Sequence, residues 1–142
     1  MRDMQEKLDR AKADEIKKRF PKYPFPANLG IEIESLDCGY AKLTLRYREE
    51  LTQGLGFIHG GAITSLCDTA IGVALFTMTE PDEKILTIEL KVNFIAPASG
   101  NIIAEGRILH KGRKTAVGEV SVLSPDNALI AKALITYYVY ED

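Results

Sequence analysis

Residues 59–76 read HGGAITSLCDTAIGVALF, and the reading of this stretch decides the fold. Ala62, Ile63, Leu66, Cys67, Ala70, Ile71, Val73, Ala74, Leu75 and Phe76 cover nearly every direction of a helical wheel, which predicts a helix buried on most sides. Asp68 stands in its middle. An ionised carboxylate in apolar surroundings carries a desolvation penalty on the order of several kcal/mol unless something pairs with it. Such a group either has a chemical task, or reaches solvent or bonds to a neighbouring strand, and Asp68 alone leaves both readings open.

His59, Gly60 and Gly61 stand just before the apolar periodicity begins. Two glycines in a first helical turn let a ligand approach free backbone N–H groups at the positive end of the helix dipole. Donors of that kind, aimed at a carbonyl oxygen under attack, are worth roughly 3 to 4 kcal/mol of barrier each. A Gly-Gly pair also serves simply as a tight loop-to-helix turn.

Gly60 and Asp68 are eight positions apart, roughly 12 Å along a helix axis at about 1.5 Å per residue. One carbonyl cannot touch both. If both act on one reacting carbon, which needs partners within about 3 Å, they come from different subunits. The spacing therefore predicts a homo-oligomer with interfacial sites, most simply a two-fold dimer.

A chain of 142 residues is enough for one domain with a substantial core. Its formal net charge of −2 argues against nucleic acid as a general partner. Cys38 and Cys67 have no metal-type spacing and are too few for a disulfide scaffold, which points to a reducing compartment. The opening MRDMQEKLDRAKADEIKKRF is too charged for a secretory leader, and the apolar stretch after Asp68 is too short to span a bilayer. The expectation is a soluble, cytoplasmic protein with no membrane partner.

Residues 2–20 read as a surface helix with a thin stripe of Met4, Leu8, Ala11 and Ile16, ended by the prolines of PKYPFP. Ile31 and Ile33, then Ala41, Leu43, Leu45 and Tyr47, alternate with polar residues and predict a strand pair about the Asp37-Cys38-Gly39 turn. Leu86, Ile88, Leu90, Val92 and Phe94 predict one face of a long strand stopping at Pro97. Strands at about 101–110, 114–123 and 128–140 follow, separated by Lys111-Gly112-Arg113 and by Ser124-Pro125-Asp126-Asn127. The sum is an α+β domain with an antiparallel sheet wrapped around a helix.

This order of elements, with GFIHGGAITSLCDTA and NFIAPASGNIIAEGRILHKGRKTAVGEV, resembles the hotdog fold, and within it the acyl-CoA thioesterases of the phenylacetic-acid-degradation type. The likeness covers about residues 28–140; residues 1–27 read as an N-terminal helix and proline-rich linker, and 28–142 as the hotdog domain. Its most specific part is His-Gly-Gly followed by an acid at the spacing of His59 to Asp68.

The resemblance implies that Asp68 is the catalytic carboxylate, activating a water or attacking the thioester carbon, while the partner subunit's Gly60 N–H polarises the carbonyl. Thr87 falls where related enzymes place a Ser or Thr that orients the nucleophile, and is equally an ordinary strand threonine. Gln53 stands where many relatives carry Asn, offering the same amide groups on a longer side chain. His59 is tempting as a general base because an imidazole ionises near neutrality, but the resemblance favours a support for the glycine turn. Gly61 joins the substrate-binding turn, and Gly112, Arg113 and Lys114 are assigned to the nucleotide phosphates of coenzyme A. Cys67 points about 100° away from Asp68 and reads as a small core residue.

The implied activity is hydrolysis of an acyl-CoA or aryl-CoA thioester without metal or organic cofactor, by a homodimer with shared sites, assembled into a homotetramer. A hotdog hydratase or dehydratase, with a His and an acid converging on the substrate, and a non-catalytic acyl-CoA sensor are the alternatives.

Overall fold

The computed structural model describes residues 7–142. Helix α1 (Arg10–Arg19) is capped by Asp9, whose carboxylate accepts the Ala11 N–H at 3.3 Å. The Met4 end of the expected stripe lies outside the described residues. The helix ends at the prolines as expected, but the proline segment is itself helical. Phe20–Lys22 form a 3-10 turn, and α2 (Pro24–Leu29) begins at Pro24. Proline is tolerated there because a first-turn residue needs no N–H bond and its φ is already helical. Phe20 is buried and part of the main core, so this segment packs on the domain.

Six strands follow: β1 (Ile31–Asp37), β2 (Tyr40–Leu45), β3 (Glu83–Phe94), β4 (Ile102–Lys111), β5 (Thr115–Leu123) and β6 (Leu129–Glu141). They form one sheet in the order β1-β2-β4-β5-β6-β3, every pair antiparallel. Helix α3 (Gly60–Phe76) connects β2, near one edge, to β3 at the other, and packs chiefly on β2, β4 and β5. This is the expected α+β arrangement, a sheet around one central helix.

Alternation works where it is regular: Ala41, Leu43 and Leu45 on β2 are fully buried. Against them pack Leu66, Cys67, Ala70, Ile71 and Leu75 of α3. Burying each large aliphatic side chain there contributes about 1.5–3 kcal/mol. The close seat depends on Gly118, where a Cβ would fall 2.6 Å from Ile71 Cδ1. The helix ends at Thr77, whose hydroxyl donates to the Ala74 carbonyl and accepts the Gly39 N–H at 2.8 Å, pinning the β1–β2 turn to it.

Two expectations need correction. Tyr47 lies beyond β2, which ends at Leu45; its N–H bonds Asn101 and its hydroxyl the Gly56 carbonyl. On β3, which ends at Phe94, a bulge between Thr87 and Glu89 breaks the alternation. A one-residue slip of this kind changes which side chains face inward. Thr87 therefore meets the helix, while Leu90 and Val92 are half-buried and Leu86 and Ile88 lie exposed.

Candidate active site

Asp68 is half-buried rather than enclosed. It lies on a helical stripe with Thr64, Ser65 and Thr69, all partly exposed, and Thr64 and Thr69 return their hydroxyls to carbonyls four residues back. The stripe faces the β3 and β6 side, where two hydroxyls close on the carboxylate. Thr87 Oγ1 donates to Asp68 Oδ1 at 2.9 Å, and Tyr137 Oη donates to the same oxygen at 2.8 Å. Oδ2 has no partner among the described residues. Asp68 thus has one oxygen held and the other available.

The carboxylate acts on its neighbours in turn. Burial, and secondarily the Asp68 charge, push the Cys67 thiol up to about 12. That thiol stays protonated and buried, a core group rather than a nucleophile. Burial first and Asp68 next also push the Tyr137 phenol above its ordinary value.

At the N-terminus of α3, His59 is the cap. Its Nδ1 accepts the Gly61 N–H at 2.7 Å, so that N–H is engaged within the chain. The Gly60 N–H has no acceptor among the described residues, and the glycine lies against the Phe94 ring. Gly60 and Gln53 border one open cavity of about 330 Å³ with Phe57, Ile63 and Phe94. The Gln53 carboxamide oxygen is turned back to accept the Leu55 N–H, which leaves its NH2 group as the available donor.

Gly112, Arg113 and Lys114 form the β4–β5 hairpin, closed by Gly112 N–H to the Thr115 carbonyl at 2.8 Å. They line a separate cavity of about 720 Å³ with Met78 and the stacked pair Tyr138 and Tyr140, whose rings are 5.5 Å apart. Glu80, Glu83 and Glu141 border it too, and Lys111 is paired with Glu83 at 3.1 Å. Arg113 and Lys114 form no ion pair among the described residues.

Within one protomer the predicted residues therefore fall into three groups. Gln53, His59, Gly60 and Gly61 gather at the start of α3, Asp68 and Thr87 two turns further along, and Gly112, Arg113 and Lys114 at the hairpin. Tyr137 was missed. The alternation of β6 carried a signal for it, since Ala131, Ala133, Ile135, Tyr137 and Val139 are its buried face, and a phenol among alkyl side chains needs a polar partner.

The sequence pattern of the thioesterase superfamily matches residues 55–131, which hold Gly60, Asp68 and Thr87. The chain is 36% identical over 115 residues to a protein named as an esterase from Saccharolobus solfataricus, covering 80% of this chain and 76% of that one. It is 30% identical over 112 residues to the 1,4-dihydroxy-2-naphthoyl-CoA hydrolase of Listeria monocytogenes, covering 78% and 91%. Among solved structures, a thioesterase family protein from Silicibacter pomeroyi superposes with a TM-score of 0.86 at 30% identity, covering 92% of this chain and 99% of that one. With its hotdog sheet wrapped round α3, the chain belongs to the thioesterase superfamily and is a thioester hydrolase.

Proposed function

We propose that the protein hydrolyses an acyl-CoA or aryl-CoA thioester to the free acid and coenzyme A, as an enzyme of the phenylacetic-acid-degradation type. The observation that carries this reading is the Asp68 carboxylate, with Oδ1 held by two hydroxyls and Oδ2 without a partner among the described residues. Oδ2 takes a proton from the water that attacks the carbonyl carbon, or attacks that carbon itself. The C–S bond then breaks and the thiolate of coenzyme A leaves with a proton from solvent or the site; where Oδ2 itself has attacked, a water then hydrolyses the acyl–Asp68 anhydride to the free acid and restores the carboxylate. The Listeria relative is named for an aryl-CoA substrate, which supports the aryl-CoA half of this reading.

The oxyanion donor is the partner subunit's Gly60 N–H. Two observations support a dimer built through β3. It is a sheet edge of twelve residues, and it exposes Leu86, Ile88 and Phe94, a liability unless covered. Thr87 marks its Asp68 end and Phe94 its Gly60 end. Antiparallel pairing of two β3 edges runs these ends past each other, which carries Gly60 of one protomer toward Asp68 of the other. Two such dimers make the homotetramer that the resemblance implies.

In this reading the acyl group lies along the seam, Gln53 meets the carbonyl or the water, and His59 and Gly61 shape the turn. Arg113 and Lys114, on the Gly112 turn, take the nucleotide phosphates, and a coenzyme A substrate fits a cytoplasmic enzyme. With Nδ1 accepting the Gly61 N–H, the neutral His59 ring carries its proton on Nε2 and is not a base there, which disfavours a hydratase that takes a proton with that imidazole. Asp68→Asn keeps the shape and removes the charge. Thiol release from benzoyl-CoA should fall by at least two orders of magnitude with the fold intact, and wild-type turnover would refute the assignment.

A further inference from the structure

We infer that Tyr137 is a positioning residue for the reaction: its hydroxyl, seated against Gly72, fixes the side-chain rotation of Asp68 so that Oδ2 alone faces the substrate. The inference rests on the reading of Asp68 given above. Tyr137 Oη donates its one proton between two acceptors of the same residue, the Asp68 main-chain carbonyl and Oδ1, each at 2.8 Å. Both torsions that set the carboxylate plane are thereby tied to the helix backbone.

The seat is built by three elements. Thr87 of β3 and Tyr137 of β6 are direct register partners, so their two hydroxyls reach Oδ1 from neighbouring strands. The bulge follows at once, between Thr87 and Glu89, and ends that inward alignment. On the helix, Gly72 stands one turn beyond Asp68. A Cβ there would lie 3.1 Å from Tyr137 Oη, tighter than an ordinary contact, so a side chain at this position crowds the hydroxyl, the more so the larger it is.

The phenol suits this task chemically. It is 5% exposed, and burial, then the Asp68 charge, push its ionisation above the ordinary phenol value, so it stays a donor throughout the neutral range. Cys67 on α3 is the other titratable neighbour of Asp68, and its thiol is neutral as well. Holding a reacting group within a narrow range of orientations lowers the barrier without changing how tightly substrate binds. The expected signature is therefore a loss in kcat at nearly constant KM.

The test is a cycle of Tyr137→Phe, Asp68→Asn and the double variant, assayed by thiol release from benzoyl-CoA on the full chain, with melting curves alongside. Tyr137→Phe should lower kcat about tenfold, leave KM within about twofold, and slow Asp68→Asn no further, because the hydroxyl acts only through the carboxylate. An unchanged kcat, or the same tenfold fall in the Asp68→Asn background, overturns the positioning role while the carboxylate reading stands. Wild-type turnover by Asp68→Asn itself overturns both. If Tyr137→Phe does not fold, the pair Gly72→Ala and Gly72→Val makes the same test by crowding the hydroxyl to two degrees, and wild-type kcat in a folded Gly72→Val overturns the proposal.

Discussion

Thr87 on β3 and Asp68 on α3 are joined by a 2.9 Å hydrogen bond from the threonine hydroxyl to Oδ1, nineteen residues apart in the chain. A hydrogen bond to a charged group is worth about 1.5–3 kcal/mol, and about 1.4 kcal/mol is tenfold in rate. Thr87→Val keeps the β-branched shape and removes the donor. It should lower kcat about tenfold, while Thr87→Ser stays within about threefold of wild type. Steady-state thiol release with both variants decides it, and equal rates would make Thr87 an ordinary strand residue.

His59 holds the first turn of α3 through its Nδ1. Loss of a side-chain cap costs about 1 kcal/mol, a drop of about 3 °C in Tm for a domain of this size. His59→Ala should show that drop, and His59→Asn, which offers a capping oxygen, should recover most of it with turnover near wild type. A well-folded His59→Asn with turnover lost by orders of magnitude would assign the imidazole to the chemistry instead.

Alkaline pH should destabilise the fold through Tyr137 and Cys67. Both groups are held neutral in the folded chain by burial and then by the Asp68 charge. In the unfolded chain a thiol ionises at about 8.5 and a phenol at about 10. The unfolded state thus gives up protons first, and stability falls as pH rises through that range toward the higher folded values. Urea midpoints at pH 8 and pH 11 should differ less for Tyr137→Phe than for wild type. An identical difference in the two proteins would show that Tyr137 ionises alike folded and unfolded.

The exposed Ile88 sits at the bulge of the edge strand β3. If two β3 edges form the seam, a charge there faces the partner at a cost of several kcal/mol when unpaired, by an order-of-magnitude reading. Ile88→Asp should sediment as a monomer and lose thioesterase activity together with its dimer. An active Ile88→Asp dimer would place the seam elsewhere.

What the sequence determined by itself was local. The period of 59–76 marks α3, paired turn residues mark the hairpins, and a carboxylate in an apolar run marks Asp68, because each signal is complete within one element. The β3 bulge, the free β3 edge and the helical use of Pro21 and Pro24 were decided by packing between elements. So was the partnership of Tyr137 with Asp68, 69 residues apart along the chain, since register follows from which side chains a sheet can bury against a helix. The tertiary structure also shows the N-terminus and the middle of α3 as separate polar sites, with the Gly60 N–H and the Asp68 Oδ2 both without a partner among the described residues. A rigid helix holds them too far apart for both to serve a single carbonyl within one chain.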